Sequence, residues 1–513
     1  MKSILHYYKH SKSRQFVLDG VIIGIISGFC SVLYRYILHI IANFRGSIFQ
    51  ELNPLKITLW FAFLFIAGLI VHYLIEFEPM SSGSGIPQIQ GEMLGVFDTD
   101  SKRIIFAKFL GGSLASLAGL SLGREGPSIQ IGANAAKVWA KYRKKTVSET
   151  NLLMSAGASA GLSAAFNAPI SGVIFVLEEL HKTYSSFILI PALIAAIVAD
   201  FVSKNIFGLA PAFALSISEV LKLGSYYHLI LLAVLCSITG ILFNKSILKA
   251  QDLYKKIKLP RPIVLILVFI ITGLVGFLMI DITGGGHPLI ESLLESNKAL
   301  HLLILLLVGK TLFTAFSYGS KTQGGIFLPV LVLGALIGNI YFKIWSTMGL
   351  LSYPHLPNFI ILGMAGVLTA VIRSPILSIL LVTEMTGSFS HLLSLSIVSI
   401  ISYLISNQLK SEPIYESLLH RMIQSFKPEI LKQGQDSKTL YTITVPTASR
   451  MAGKKIMDLA IPQGVLILTI ERHKKELIPR GDTIIKAGDT LHITTSVDRL
   501  SDCKKYFNEN LSD

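Results

Sequence analysis

Charge is scarce in this chain of 513 residues: 15% are Asp, Glu, Lys or Arg, against about 25% in soluble domains. With 51% hydrophobic residues and a mean hydropathy of +0.60, that scarcity excludes a disordered chain and argues against a soluble enzyme. Cysteine is equally rare. Cys30, Cys236 and Cys503 lie far apart with no CxxC spacing, which argues against a disulfide scaffold or a zinc site. No HExxH pattern and no membrane-embedded nucleophile–base pair occurs, so neither an enzyme nor a resident metal or cofactor is expected. The potassium-filter sequence TVGYG is also missing. The first apolar run starts near Phe16 and continues past Ile37 without a small-residue cleavage site; it reads as a retained span, not a signal peptide.

What is present is apolar sequence in blocks. Runs near 16–42, 56–77, 104–122, 186–207, 228–249, 263–281, 302–317 and 391–409 approach the ~20 residues that cross a bilayer. Others, near 126–140, 152–166, 169–181, 326–345, 358–372 and 375–387, are shorter or broken by Gly and Pro. Half-length segments cannot end against lipid with unsatisfied N–H and C=O groups; they must end against protein or a water-filled cavity. The net charge of +15 sits in tracts flanking these runs. Lys2, Lys9, Lys12 and Arg14 precede the first acidic residue, Asp19. This is the positive-inside pattern of a multi-pass membrane protein with a cytosolic N-terminus, not a nucleic-acid-binding face.

The broken segments repeat. Gly157, Ala164, Pro169, Ile170 and Glu178 recur at an offset of 206 as Gly363, Ala370, Pro375, Ile376 and Glu384. PSIQIGA (127–133) aligns with PVLVLGA (329–335) at an offset of 202. Spacing alone does not say whether the halves are inverted. The composition then divides the chain into a basic N-terminal segment (1–15), a membrane domain (16–426), a polar linker (427–436) and a soluble α+β domain (437–511). The soluble domain is expected to hold period-two strands, helices near 449–459 and 496–508, and two GDT turns.

Three glycine-proline turns punctuate the membrane part: Gly83-Ser84-Gly85-Ile86-Pro87, Gly123-Arg124-Glu125-Gly126-Pro127 and Gly324-Gly325-Ile326-Phe327-Leu328-Pro329. Each precedes an apolar helical run, with proline suited to the first helical turn. A helix N-terminus offers free N–H groups and about half a positive charge, and glycine lets a ligand approach closely. Three such ends meeting in mid-membrane would bind an anion without a fixed cation. Glu125 stands at one of them. A carboxylate in hydrocarbon costs roughly 2.5–3.5 kcal/mol on insertion scales, so Glu125 is expected to be paired, protonated or functional. It can occupy an anion site itself and leave on protonation; the plainer alternatives are a capping carboxylate or a partner for Arg124.

These motifs closely resemble the signature sequences of the CLC family of chloride channels and chloride/proton exchangers, over roughly residues 15–425. The resemblance implies an all-α polytopic membrane protein of duplicated, inverted-repeat architecture with broken helices, assembled as a homodimer with one pathway per subunit. It implies a central chloride site at Ser84, Gly85, Ile86, Gly126, Ile326, Phe327 and Tyr415. Glu125 matches the external gating glutamate, and Glu179 the internal glutamate through which exchangers take up protons. Arg124 and Lys108 would add positive potential. Read alone, Tyr415 would be an interfacial anchor, Lys108 a snorkelling lysine and Glu179 a partner of Lys182. Glu178 and Glu384 hold duplicated positions, which favours a structural or water-holding role for Glu178. Serine in GSGIP resembles chloride-selective members, and the motifs are not those of the fluoride-exporting branch. Gln88 and Gln90 stand where many members carry glutamates, which bears on coupling.

The C-terminal region resembles the RCK C-terminal (TrkA-C) domain, through Gly453-Lys454-Lys455, VLILTIER, IPRGDT and AGDTLHI. Such domains dimerise and sense cytosolic ligands, some of them nucleotides. Arg450, Arg472 and Arg480 either face a phosphate or form a solvated basic surface. The expected function is proton-coupled chloride antiport across a prokaryotic plasma membrane with both termini cytosolic. The alternatives are a passive chloride channel of the same fold and an RCK-regulated cation transporter.

Overall fold

The computed structural model describes residues 2–50, 53–213, 221–295, 298–351, 353–427, 438–446, 449–459, 461–472, 475–496 and 506–507. It divides into two compact units, Met1–Leu419 and His420–Asp513.

The first unit is helical. Its first half holds α1 (Lys2–Gln50), α2 (Pro54–Phe77), α3 (Ile86–Met93), α4 (Ser101–Ala118), α5 (Glu125–Tyr142), α6 (Val147–Phe166), α7 (Pro169–Ile174) and α8 (Ser186–Phe207). Its second half holds α9 (Tyr227–Lys256), α10 (Arg261–Leu278), α11 (His287–Glu295), α12 (Leu300–Gly319), α13 (Phe327–Thr347), α14 (Leu356–Ile372), α15 (Pro375–Thr386) and α16 (Leu392–Gln408), and α17 (Ile414–Phe426) follows. Among the described residues, seven helices are long and apolar enough to cross a membrane, while α14, α15 and α16 are shorter apolar helices. Local chemistry sets the ends. Asn53 caps α2 with Pro54 at the first position, Thr146 and Glu149 form a capping box at α6, and Pro169 and Pro375 open α7 and α15. The apolar run at 169–181 is not one regular helix: after Ile174 it widens into a π-helix over Phe175–His181, an uncommon geometry often found at functional sites.

The two halves are joined by reciprocal contacts between equivalent residues, the pattern a local two-fold axis produces. Gly123 N–H donates to Gly325 O at 2.6 Å, and Gly325 N–H returns to Gly123 O at 2.8 Å. Glu178 accepts from the N–H groups of Ile376 (3.2 Å) and Leu377 (2.7 Å) at the start of α15. Glu384 accepts from those of Ile170 (3.0 Å) and Ser171 (2.8 Å) at the start of α7. Each carboxylate thus caps the other repeat's helix, where a negative charge meets the positive helix end. The crossings α5–α6 and α13–α14 also match: a Cβ on Gly132, Gly157, Gly334 or Gly363 would overlap the facing glycine's carbonyl oxygen. Such small-residue crossings let membrane helices approach closely.

The second unit contains a four-stranded antiparallel sheet, order β1-β4-β2-β3, from β1 (Lys438–Thr444), β2 (Leu466–Arg472), β3 (Lys475–Leu477) and β4 (Thr490–Ser496). Val445, Met451, Ile467, Ile470, Ile485, Leu491, Ile493 and Phe507 form its core. The helix expected at 449–459 is instead a series of turns ending in a 3-10 helix at Ile456–Asp458. The stretch is short, and Gly453 has a φ of +86°, which interrupts a right-handed helix. Of the closing helix expected at 496–508, only Ser496, Tyr506 and Phe507 are described; the rest, with Cys503 and all of the linker but Lys427, lies outside the described residues.

Candidate functional site

The three glycine-proline turns meet. Gly324 N–H donates to Gly83 O at 2.9 Å, Gly83 N–H to Lys321 O at 3.4 Å, and Gly325 pairs with Gly123 as above. Gly83 and Gly85 carry φ values of +61° and +97°, and a Cβ on Gly85 would strike Gln130. Gly126 must also be glycine: a Cβ there would sit 2.7 Å from Ser84 O. The starts of α3, α5 and α13 are therefore brought to one place by backbone pairing that only glycine permits. Ile326 and Phe327 are buried at the start of α13, and the Phe327 ring packs 5.9 Å from that of Phe166.

Around this junction lie buried polar side chains. The Glu125 carboxyl and the Tyr415 hydroxyl have no side-chain partner although both are fully buried, and the carboxyl lies within reach of N–H groups at two helix starts, its own and that of Leu328 in α13. Ser84, also buried, accepts a long bond from Ile86 N–H at 3.4 Å through its Oγ, with the Tyr318 hydroxyl also within reach. Buried polar groups are ordinarily satisfied; others without a partner are spread through the molecule, but Glu125 stands where three helix N-termini converge, which fits an anion site. No group of three or more His, Cys, Asp or Glu residues able to hold a metal occurs among the described residues.

The side chains expected around the site divide as follows. Tyr415 is in the first turn of α17 and buried, not an interfacial anchor. Lys108 is buried and does not snorkel: its Nζ donates to Gly83 O at 2.8 Å and holds the GSGIP turn. Arg124 does not bond Glu125; it reaches Ala165 O at 3.4 Å and lines a cavity of about 360 Å³ that extends past Gly123 and Gly324 to Arg45 and His287. Glu179 sits on the π-helix. Its Oε2 accepts from Ser374 Oγ at 2.7 Å, and its Oε1 is buried and unpartnered. Lys182 pairs with Glu416 of α17 instead of Glu179, because the chain turns left-handed at Lys182 (φ +54°) as the π-helix ends. Gln90 donates to Glu179 O at 3.0 Å and also lies within reach of the Glu179 carboxyl, while Gln88 donates to Ser82 O at 2.6 Å.

Sequence reasoning missed two features. Tyr318, buried at the end of α12, has its hydroxyl within hydrogen-bonding reach of both the side chain and the backbone of Ser84. Nothing in its neighbourhood in sequence marks it. A fourth turn, Gly284-Gly285-Gly286-His287-Pro288, is the repeat of GSGIP: Gly284 and Gly286 have φ values of +61° and +95°, and Lys310 Nζ donates to Gly284 O at 2.7 Å as Lys108 does to Gly83 O. The shared Gly-x-Gly-x-Pro spacing was the available signal.

In the second unit, Arg472 is partly exposed but its guanidinium is engaged within the domain and not free for phosphate. Its guanidinium bonds both carboxyl oxygens of Asp489 at 2.7 Å and Ile484 O at 2.7 Å. Arg450 and Arg480 are exposed.

Comparison with known proteins agrees with this geometry. Residues 440–508 match the TrkA-C domain. Over 451 residues the chain is 33% identical to the H(+)/Cl(-) exchange transporter ClcA of Vibrio campbellii, covering 83% of this chain and 96% of that one. The same-named protein of Citrobacter koseri is 28% identical over 432 residues, covering 82% and 91%. The fold is similar to that of a slow cyanobacterial Cl-/H+ antiporter (TM-score 0.77, 27% identity, 80% of this chain and 99% of that chain). A eukaryotic CLC transporter shares the fold at 19% identity and a TM-score of 0.69, covering 87% and 80%. With residues 63–407 matching the family model as well, the chain belongs to the voltage gated chloride channel family.

Proposed function

We propose that this protein exchanges chloride for protons across a membrane. The observation that carries the reading is the buried carboxyl of Glu125, without a side-chain partner and within reach of the Leu328 N–H, at the junction of three helix N-termini. Chloride binds at that junction, with donors from Ser84, Tyr415 and the backbone around Gly85, Ile86, Gly126, Ile326 and Phe327. A carboxylate and a chloride ion suit the same N–H groups, so Glu125 competes with the anion when ionised and leaves when protonated. Glu179, one oxygen held by Ser374 and the other free, is the second proton station. Arg124 lines the adjoining cavity and supplies positive potential to arriving anions. The site is built from neutral dipoles, so it can bind an anion and still release it.

The same reading places the protein in a cell membrane with both termini cytosolic, as a homodimer. The second unit would respond to a cytosolic nucleotide-like ligand through Arg450 and Arg480. Proton flux into liposomes driven only by a chloride gradient tests the function. Glu125→Gln and Glu179→Gln are expected to abolish proton movement while chloride flux remains. Chloride flux without proton movement in the unmodified protein would refute exchange and leave a passive channel.

A further inference from the structure

Outside the transport site, the most developed unassigned feature is a groove on the outer face of the first unit. It is about 560 Å³ in volume and lies between α9, α10 and α12. Its walls are apolar: Leu253, Leu259, Leu267, Ile271 and Leu312 line it and are all exposed. The groove runs between helices long and apolar enough to span a membrane, so its occupant has a hydrocarbon body. One end is strongly basic. Lys249 lines the groove, and Lys255, Lys256, Lys258 and Arg261 are exposed where α9 ends and α10 begins. Lys321, at the base of α12, faces Arg261 and Lys255. Against these stand Asp252, 4.0 Å from Lys255, and Glu76 near Arg261.

We propose that this groove binds an anionic phospholipid, its acyl chain along the apolar walls and its headgroup on the lysine cluster. Basic pockets between membrane helices recognise anionic headgroups in this way. A second copy of the chain fits poorly, since a two-fold contact here would set the same cations against each other. The lipid would rest on a helix that matters to transport. Tyr254 of the groove donates to Phe316 O at 3.1 Å, and its ring packs against Gly319, next to Tyr318.

The test is native mass spectrometry of the delipidated full-length protein titrated with phosphatidylglycerol or phosphatidylcholine. Phosphatidylglycerol is expected to bind about tenfold more tightly. Replacing Lys249, Lys255, Lys256 and Lys258 together by Gln is expected to bring that preference below about twofold. Leu267→Trp, which fills the groove and keeps every charge, is expected to remove one bound phosphatidylglycerol. Retention of that lipid by the filled variant would overturn the groove in favour of a surface polybasic patch. Equal binding of both lipids to the unmodified protein, or a preference that survives loss of the four lysines, would overturn the proposal altogether. Unchanged melting temperatures confirm that each variant is folded. The readout is binding, so it stands or falls independently of the transport reading.

Discussion

Tyr318→Phe removes one oxygen and leaves the ring that fills the space, so it probes the hydroxyl alone. The Tyr318 oxygen lies within reach of the Ser84 hydroxyl and backbone N–H, and Ser84 Oγ also receives the Ile86 N–H at 3.4 Å. Each hydroxyl carries one proton. If one of the two is shared within the Ser84–Tyr318 pair, the other is left to point at an anion. If Tyr318 only orients Ser84, its removal forfeits a neutral hydrogen bond of about 0.5–1.5 kcal/mol, and chloride binds about 2–13-fold more weakly. If the tyrosine supplies the proton that meets chloride, a bond to a charged group of about 1.5–3 kcal/mol is lost and the factor becomes about 13–160. Titration calorimetry of chloride binding to the purified protein separates the two ranges. Ser84→Ala and Tyr415→Phe run alongside as references for the site. A chloride affinity unchanged in Tyr318→Phe, while both references weaken it, would refute the reasoning and make Tyr318 simple packing.

Further outcomes follow from the same geometry. Glu384→Gln is expected to lower stability by about 2–4 kcal/mol, because an amide cannot accept both helix N–H groups with a charge. Glu178→Gln is expected to cost less, since Glu384 also accepts from Ser171 Oγ at 2.5 Å; thermal unfolding measures both. If Glu178→Gln spares stability but stops proton flux, Glu178 is a proton station and the capping account is wrong. Gly334→Ala is expected to lower the melting temperature sharply, since backbone atoms of Gly363 and Met364 occupy the space its Cβ needs; an unchanged value would contradict the crossing geometry. In the second unit, burial pushes the Asp489 carboxyl up, but its bonds to Arg472 and the Lys486 N–H outweigh burial and hold it below the usual carboxylate range. Its contribution to stability is therefore full above about pH 4, the ordinary aspartate value, and is lost as pH falls through the lower folded value. Hydrogen exchange of β4 in the full chain should show this acid-side loss, and Asp489→Asn should abolish the pH dependence.

Most of the helices were legible because membrane burial writes them as apolar blocks, and the three turns because backbone convergence demands glycine and proline. What the sequence hid is what depends on contact across distant elements. Lys182 reads as a helical partner of Glu179 three residues away, yet the π-helix and the left-handed turn send it to Glu416. Tyr318 has no motif; it matters only because Gly83 and Gly324 bring its helix end against Ser84. Arg472 read as facing either phosphate or solvent because its partner Asp489 is one of two similar GDT aspartates, and only the pairing of β2 with β4 selects it. The 449–459 stretch carries apolar residues at helical spacing, but Gly453 and pairing between Lys455 and Ile484 draw it into turns beside the sheet.

The duplication itself separates scaffold from chemistry. Devices present in both halves hold backbone: the Gly123–Gly325 pair, the Glu178 and Glu384 caps, the glycine crossings, and the two buried lysines that each grip a glycine carbonyl. A residue that serves both halves alike has no reason to favour one direction of transport, so Lys108 is foremost a turn-holding group. The side chains proposed to carry transport are those that the repeat does not copy. Ser84 corresponds to Gly285 in the equivalent turn, Glu125 to Phe327, and Glu179 to Met385. A hydroxyl becomes hydrogen, and each carboxyl becomes an apolar side chain. The symmetric frame thus brings helix N-termini together from both sides, and the asymmetric substitutions decide which of them receives a titratable group. Exchange needs that inequality: a proton must ride on one end of the anion path and leave by a separate station. A glutamate at 327 as well as at 125 would put a second carboxylate against the anion site and repel chloride, whereas one at each of two unmatched positions, 125 and 179, leaves the junction free for it.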